Sequence, residues 1–101
     1  MEELQEKLEQ MAHRVSFDEV TSEMSDIFHK KNSDYGGSFV ESCREFGLTS
    51  PIIRMSDKLN RLKSLSKCNS SAKVEDEKIE DTLLDLANYA VMTILWLRNE
   101  N

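Results

Sequence analysis

One segment constrains this chain more than any other: Leu83-Leu84-Asp85-Leu86-Ala87-Asn88-Tyr89-Ala90-Val91-Met92-Thr93-Ile94-Leu95-Trp96-Leu97. It consists of helix formers and is apolar nearly all round, so a helix over it must be covered on most sides. Yet it holds Asp85 and Asn88. A carboxylate among so many apolar side chains has to find a cation, a hydrogen-bond donor or a proton, because an unpaired buried charge is very costly. What neutralises Asp85 is the first question the sequence poses.

At 101 residues the chain has the size of one domain. It is read as a single helical domain over 1–101, with 67–74 as a flexible inter-helix linker. The formal net charge of -6 disfavours a nonspecific grip on nucleic acid or acidic membrane, which needs clustered Lys and Arg. Free nucleotides escorted by a divalent cation remain compatible. Cys43 and Cys68 lack a paired-motif spacing, and a cytoplasmic protein with reduced thiols is expected. Residues 1–10 carry charges throughout, without the apolar core of a secretory signal. The run from Leu83 to Leu97 is too short for a typical membrane span.

Gly is scarce, there is one Pro, and no run alternates long enough for a strand. The class expected is all-α, a small bundle of about five helices. Leu4, Leu8, Met11 and Val15 line a first helix from near Glu3 to Arg14. Ser16 and Glu19 form a capping-box pair that opens a second, to about Lys31. Asn32-Ser33-Asp34-Tyr35-Gly36-Gly37 predicts a loop and a candidate site wall. Ser38 and Glu41 repeat the capping box before a short helix with Phe39, Cys43 and Phe46, which Gly47 can end. Ser50 then caps a helix whose first turn holds Pro51 and which reaches Ser66. The last helix runs from near Glu75 to about Arg98. Its Ile79, Leu83, Leu86, Ala90 and Ile94 are expected in the domain's own core, while Leu84, Val91, Leu95 and Trp96 call for cover by other helices or a second subunit. Trp96 and Phe46 are expected as core or interface anchors.

Two charged stripes carry the candidate chemistry. Glu77, Asp81, Asp85, Asn88 and Met92 recur at steps of three or four and share one side of the last helix. Carboxylates one turn apart repel, and a hard cation such as Mg²⁺, which takes carboxylate and water oxygens and bridges to phosphates, relieves that repulsion. On the preceding helix Arg54, Asp57, Lys58 and Arg61 form a second stripe. Arg forks and a Lys charge suit phosphate oxygens, and Asp57 can join a metal or orient one of the cations. Each stripe alone also fits an ordinary solvated helix face. Together they are complementary.

Three blocks, Lys31-Asn32-Ser33-Asp34-Tyr35-Gly36-Gly37-Ser38-Phe39, Arg54-Met55-Ser56-Asp57-Lys58-Leu59-Asn60-Arg61-Leu62 and Glu80-Asp81-Thr82-Leu83-Leu84-Asp85-Leu86-Ala87-Asn88-Tyr89, resemble the nucleotide modification associated domain family, type 1. Members of that family occur in phages and bacteria, and it looks related to the MazG-like all-α nucleoside triphosphate pyrophosphatases. The resemblance implies a homo-oligomer, dimer or tetramer, that binds Mg²⁺ and cleaves a nucleoside triphosphate to the monophosphate and pyrophosphate. It places Asp81 and Asp85 on the acidic helix and Asp57 on the facing one, as metal ligands and catalytic groups, with Glu77 or Glu80 in reserve. Arg54, Lys58 and Arg61 would stabilise phosphate charge, Lys31 would touch phosphate, and Asp34, Tyr35 and Asn88 would contact the rest of the nucleotide. The chain departs from the better-known relatives in one respect: they place several Glu on the facing helix, where Asp57 stands among three cations. Two other readings follow from that departure, a nucleotide sensor without hydrolysis and a non-catalytic helical interaction module.

Overall fold

The computed structural model of the protein describes residues 2–6, 14–67 and 72–100, with the backbone alone for 32–36 and 72–75. Three helices dominate: α1, Phe17–Phe46; α2, Thr49–Ser66; and α3, Ala72–Glu100. Residues 2–6 are helical as well, and no strand occurs among the described residues. The all-α class is as expected. Residues 7–13 and Cys68 lie outside the described residues.

The start of α1 follows its sequence signal. The Ser16 hydroxyl accepts the Glu19 amide at 3.1 Å, and Asp18 and Glu19 put negative charge at the positive end of the helix dipole. Its end follows too. Gly47 adopts a φ of 65°, and its amide donates to the Cys43 carbonyl at 2.8 Å.

Between those ends the expectation fails. Residues 32–37 do not form a loop: α1 passes through them, so Ser38 and Glu41 lie mid-helix and not at a helix start. Each Gly costs a helix about 1 kcal/mol relative to Ala. Both halves of α1 are nonetheless anchored, Phe28 on one side and Phe39 and Cys43 on the other packing into the same core. Continuing a helix between two anchored halves avoids a second costly nucleation.

α2 begins two residues before the expected position. Leu48 occupies the N-cap without a side-chain capping bond, while Ser50 and Pro51 are both buried in the first turn. The N–H that Pro51 lacks would have had no intrahelical partner there. α2 packs most extensively against α3, and α1 contacts both.

The core is small. Phe39, Cys43 and Met92 are buried, with Phe28, Val40, Tyr89 and Trp96 packed against them. Trp96 thus packs against the core, while Phe46, 63% exposed, is not part of it. Burial pushes the Cys43 thiol above its usual pKa, and the nearby Arg54 charge pulls it partly back.

The rotation of α3 is the second departure. Its inward face presents Thr82, Asn88, Met92 and Thr93, all buried, with Asp85, Tyr89 and Trp96 half-buried. Leu83, Ala90 and Ile94, expected in the core, are exposed, together with Val91, Leu95 and Leu97. Ile79 and Leu86 are half-buried. The reason lies in the polar groups. The hydroxyls of Thr82 and Thr93 donate to the carbonyls of Lys78 and Tyr89 at 2.7 and 2.6 Å, so burying them leaves no unmet donor. Asn88 and Asp85 find partners on α1 and α2. No helix among the described residues is long and apolar enough to cross a membrane.

Candidate functional site

Asp85 is neutralised by lysines. Its Oδ2 lies 3.3 Å from Lys58 Nζ on α2, and its Oδ1 lies 3.7 Å from Lys31 Nζ on α1. The side chain of Asp85 is 22% exposed, that of Lys58 28% and that of Lys31 49%, so the cluster sits at the edge of the core with its lysines open to solvent. All three helices meet here. The sequence posed this partner as either a metal ion or an arginine of the facing helix. The cations are instead Lys58 of that helix and Lys31, which the sequence offered only as a phosphate contact.

The rest of the α2 stripe also reaches α3. Arg61 Nε donates to Thr82 Oγ1 at 3.3 Å, and the Arg54 guanidinium carbon stands 5.8 Å from the centre of the Tyr89 ring, within cation–π range. Steps of four and three residues put Arg54, Lys58 and Arg61 along one side of α2. That side lies against α3. Tyr89 in turn meets the Phe39 ring at a centroid distance of 6.1 Å, which ties the cationic stripe to the core. Asn88 Nδ2 donates to the Met24 carbonyl at 3.2 Å, so it links α3 to α1 rather than standing on an open surface.

The expected carboxylates are distributed differently. Asp57 is exposed and lines a shallow cavity with Ser42, Phe46, Thr49, Ser50, Ile53 and Arg54. Asp81, Glu77 and Glu80 are exposed on α3. Among the described residues no three His, Cys, Asp or Glu side chains form a group that could hold a metal ion. The Mg²⁺ donor set of Asp57, Asp81 and Asp85, with Glu77 and Glu80 in reserve, is not gathered, and Asp85 is engaged by ammonium groups. Asp34 and Tyr35 lie on the α1 backbone, with side chains outside the described residues.

Two participants were missed by reasoning from the sequence. Thr82 receives Arg61, and its place three residues before Asp85 on the same helix was a usable signal. The Met24 carbonyl is a backbone group in mid-helix and had no signal at all. What the arrangement can do chemically follows from its charge. Two lysines surround one carboxylate and two arginines flank them, so a chain of net charge -6 concentrates cations where its three helices meet. Such a cluster attracts an anion with several oxygens.

Residues 31–97 match the model of the family described as Nucleotide modification associated domain 1. The chain belongs to this family. The matched segment of this Nucleotide modification associated domain 1 member starts at Lys31 and takes in Lys58 and Asp85, which meet at the cluster, together with Arg54 and Arg61 on the same side of α2 as Lys58. No curated protein and no solved structure matches the chain.

Proposed function

We propose that the protein is a nucleotide-binding helical module whose cationic cluster receives the phosphates. The observation that carries this reading is the convergence of Lys31 and Lys58, from two helices, on the half-buried Asp85 of a third. Asp85 holds the ammonium groups at fixed positions before the ligand arrives, which lowers the ordering cost of binding. A phosphate then takes over as acceptor for part of each lysine's donor capacity. Arg54 and Arg61 supply planar donors beside it. The family description associates these domains with nucleotides, and that supports the ligand class.

The MazG-like pyrophosphatase activity that the resemblance implies is the stronger form of the same proposal. It requires Mg²⁺ on carboxylates that are not grouped among the described residues, so no step is routed through a metal. Binding without turnover is the reading these residues support best.

Calorimetric titration of the mono-, di- and triphosphates of each nucleoside, with and without Mg²⁺, tests it, with pyrophosphate release followed in parallel. Affinity should rise with phosphate number and fall with salt, and Lys58→Ala should weaken it about tenfold, the scale of one charge-assisted contact. Asp85→Asn should change Mg²⁺-free affinity by less than Lys58→Ala does, because losing the acceptor that competes with phosphate offsets losing the pre-positioned ammonium groups. Absence of binding by every nucleotide overturns the proposal. Pyrophosphate release that Asp85→Asn abolishes would instead establish the catalytic form.

A further inference from the structure

The cavity between the end of α1 and the start of α2 adjoins the cationic cluster. Its volume is about 470 Å³, within the ~300–1,000 Å³ of small-molecule sites. Two of its apolar wall residues are open to water, Phe46 at 63% and Ile53 at 55% exposure. Polar groups line it as well. Ser42 and Thr49 bring hydroxyls, and Asp57 brings an exposed carboxylate that forms no ion pair among the described residues. Arg54 joins this cavity to the cluster. It lines the cavity, and its guanidinium stands over the Tyr89 ring instead of pairing with Asp57, three residues away. Ser50, Arg54, Asp57 and Arg61 recur at steps of four, three and four along α2, with Lys58 one turn beyond Arg54. The helix rises about 7.5 Å from Ile53 to Lys58 and about 10.5 Å from Arg54 to Arg61, so one nucleotide can reach from the cavity to the lysines on Asp85.

We propose that this cavity holds the nucleoside of the nucleotide whose phosphates the cluster receives, an inference that rests on the nucleotide binding proposed above. The base stacks on the Phe46 ring, and the Asp57 carboxylate accepts hydrogen bonds from the sugar hydroxyls. Arg54 meets the first phosphate, and Lys58 and Arg61 meet the later ones. The order of charges sets this direction. A phosphate seated beside Asp57 would face a like charge, whereas a neutral sugar offers that carboxylate two donors. The nucleoside therefore lies away from Asn88, where the resemblance placed one of its contacts and where the amide donates to the Met24 carbonyl. Asp57 becomes a sugar-binding residue, which accounts for one carboxylate standing on a helix side otherwise given to cations.

Calorimetric titration of the full chain without Mg²⁺ tests the proposal by comparing nucleoside triphosphates with inorganic triphosphate, which offers phosphates to the cluster and nothing to the cavity. The tightest of the common ribo- and deoxyribonucleoside triphosphates should exceed inorganic triphosphate at least about tenfold, the scale of one stacked base. Phe46→Ala should bring the ratio of the two affinities close to one, and Phe46→Trp should preserve it. Asp57→Asn should lower that ratio about fivefold, yet leave it unchanged for the 2′,3′-dideoxy form of the same nucleotide, which has no sugar hydroxyl to donate. Asp57 is exposed, so this variant decides the matter if Phe46→Ala lowers helicity. Equal affinity for the two ligands, or a ratio that Phe46→Ala leaves unchanged in a folded protein, overturns the nucleoside site and leaves the phosphate site standing. An Asp57→Asn effect that persists with the dideoxynucleotide overturns the assignment of Asp57 to the sugar. Binding of neither inorganic triphosphate nor any nucleotide overturns both readings.

Discussion

The two faces of α3 are inverted relative to an ordinary amphipathic helix. The inward face carries Thr82, Asp85, Asn88 and Thr93 around Met92, Tyr89 and Trp96, whereas the outward face carries Leu83, Ala90, Val91, Ile94 and Leu97. Hydrophobicity alone does not select this rotation. What fixes its rotation is satisfaction of polar groups, with Asp85 on two lysines, Asn88 on the Met24 carbonyl and Thr82 beneath Arg61. An unmet buried polar group costs about 1–3 kcal/mol, more than the ~0.5–1 kcal/mol of leaving one aliphatic side chain half-exposed. The apolar face is then left outward.

The largest expected effect sets these faces directly against each other. Met92 is 5% exposed, and Met92→Ala should cost about 2–4 kcal/mol in urea unfolding at any protein concentration. Ile94, 46% exposed, lies on the other side of the same helix. Ile94→Ala should cost under ~0.5 kcal/mol, because the side chain buries little apolar surface in the chain's own core. Equal losses at both positions would show that the inversion is not the rotation in solution.

Next in size is the pair that holds the inward face. Lys58→Met leaves Asp85 with weaker compensation and should destabilise the fold by about 1–2 kcal/mol, an effect that shrinks with added salt. Asp85→Asn should cost less, because it removes the charge along with the need for a partner. In a double-mutant cycle the coupling between the two positions should be about 1 kcal/mol, discounted for the solvent that reaches both side chains. Zero coupling would mean that the lysines do not orient α3, and the inverted rotation would need another cause.

Much of this arrangement is legible in the sequence, and what is not has a physical reason. That Asp85 needs a cation follows from the composition around it, and the alignment of Arg54, Lys58 and Arg61 follows from spacing. Which cation arrives depends on the rotation of α3. Periodicity cannot supply that rotation, because a helix apolar nearly all round has no single apolar direction; only the positions of Met24, Lys31 and Lys58 on other helices choose it. The loop expected at residues 32–37 fails for a related reason. Gly36 and Gly37 report a local cost of helix formation, while the anchoring of Phe28 and Phe39 that outweighs it is tertiary.

The smallest effect concerns that continuity, which fixes Lys31 relative to Phe39 and Cys43 and so holds both ends of the inward face together. A Cβ added at Gly37 meets no atom within 4 Å, and Gly37 sits in α1 without the positive φ that Gly47 adopts. Gly37→Ala should therefore stabilise the protein by about 0.5–1 kcal/mol, through the lower entropy of the unfolded chain and better helix propensity. Gly47, at φ 65°, is the internal control: an Ala there strains the left-handed turn and should cost about 1 kcal/mol. Thermal unfolding of the two variants separates a helix from a turn at residue 37 by sign alone. If Gly37→Ala destabilises as Gly47→Ala does, α1 bends there, Lys31 is not held by the core around Phe39, and the cluster on Asp85 is assembled by the ligand instead of awaiting it.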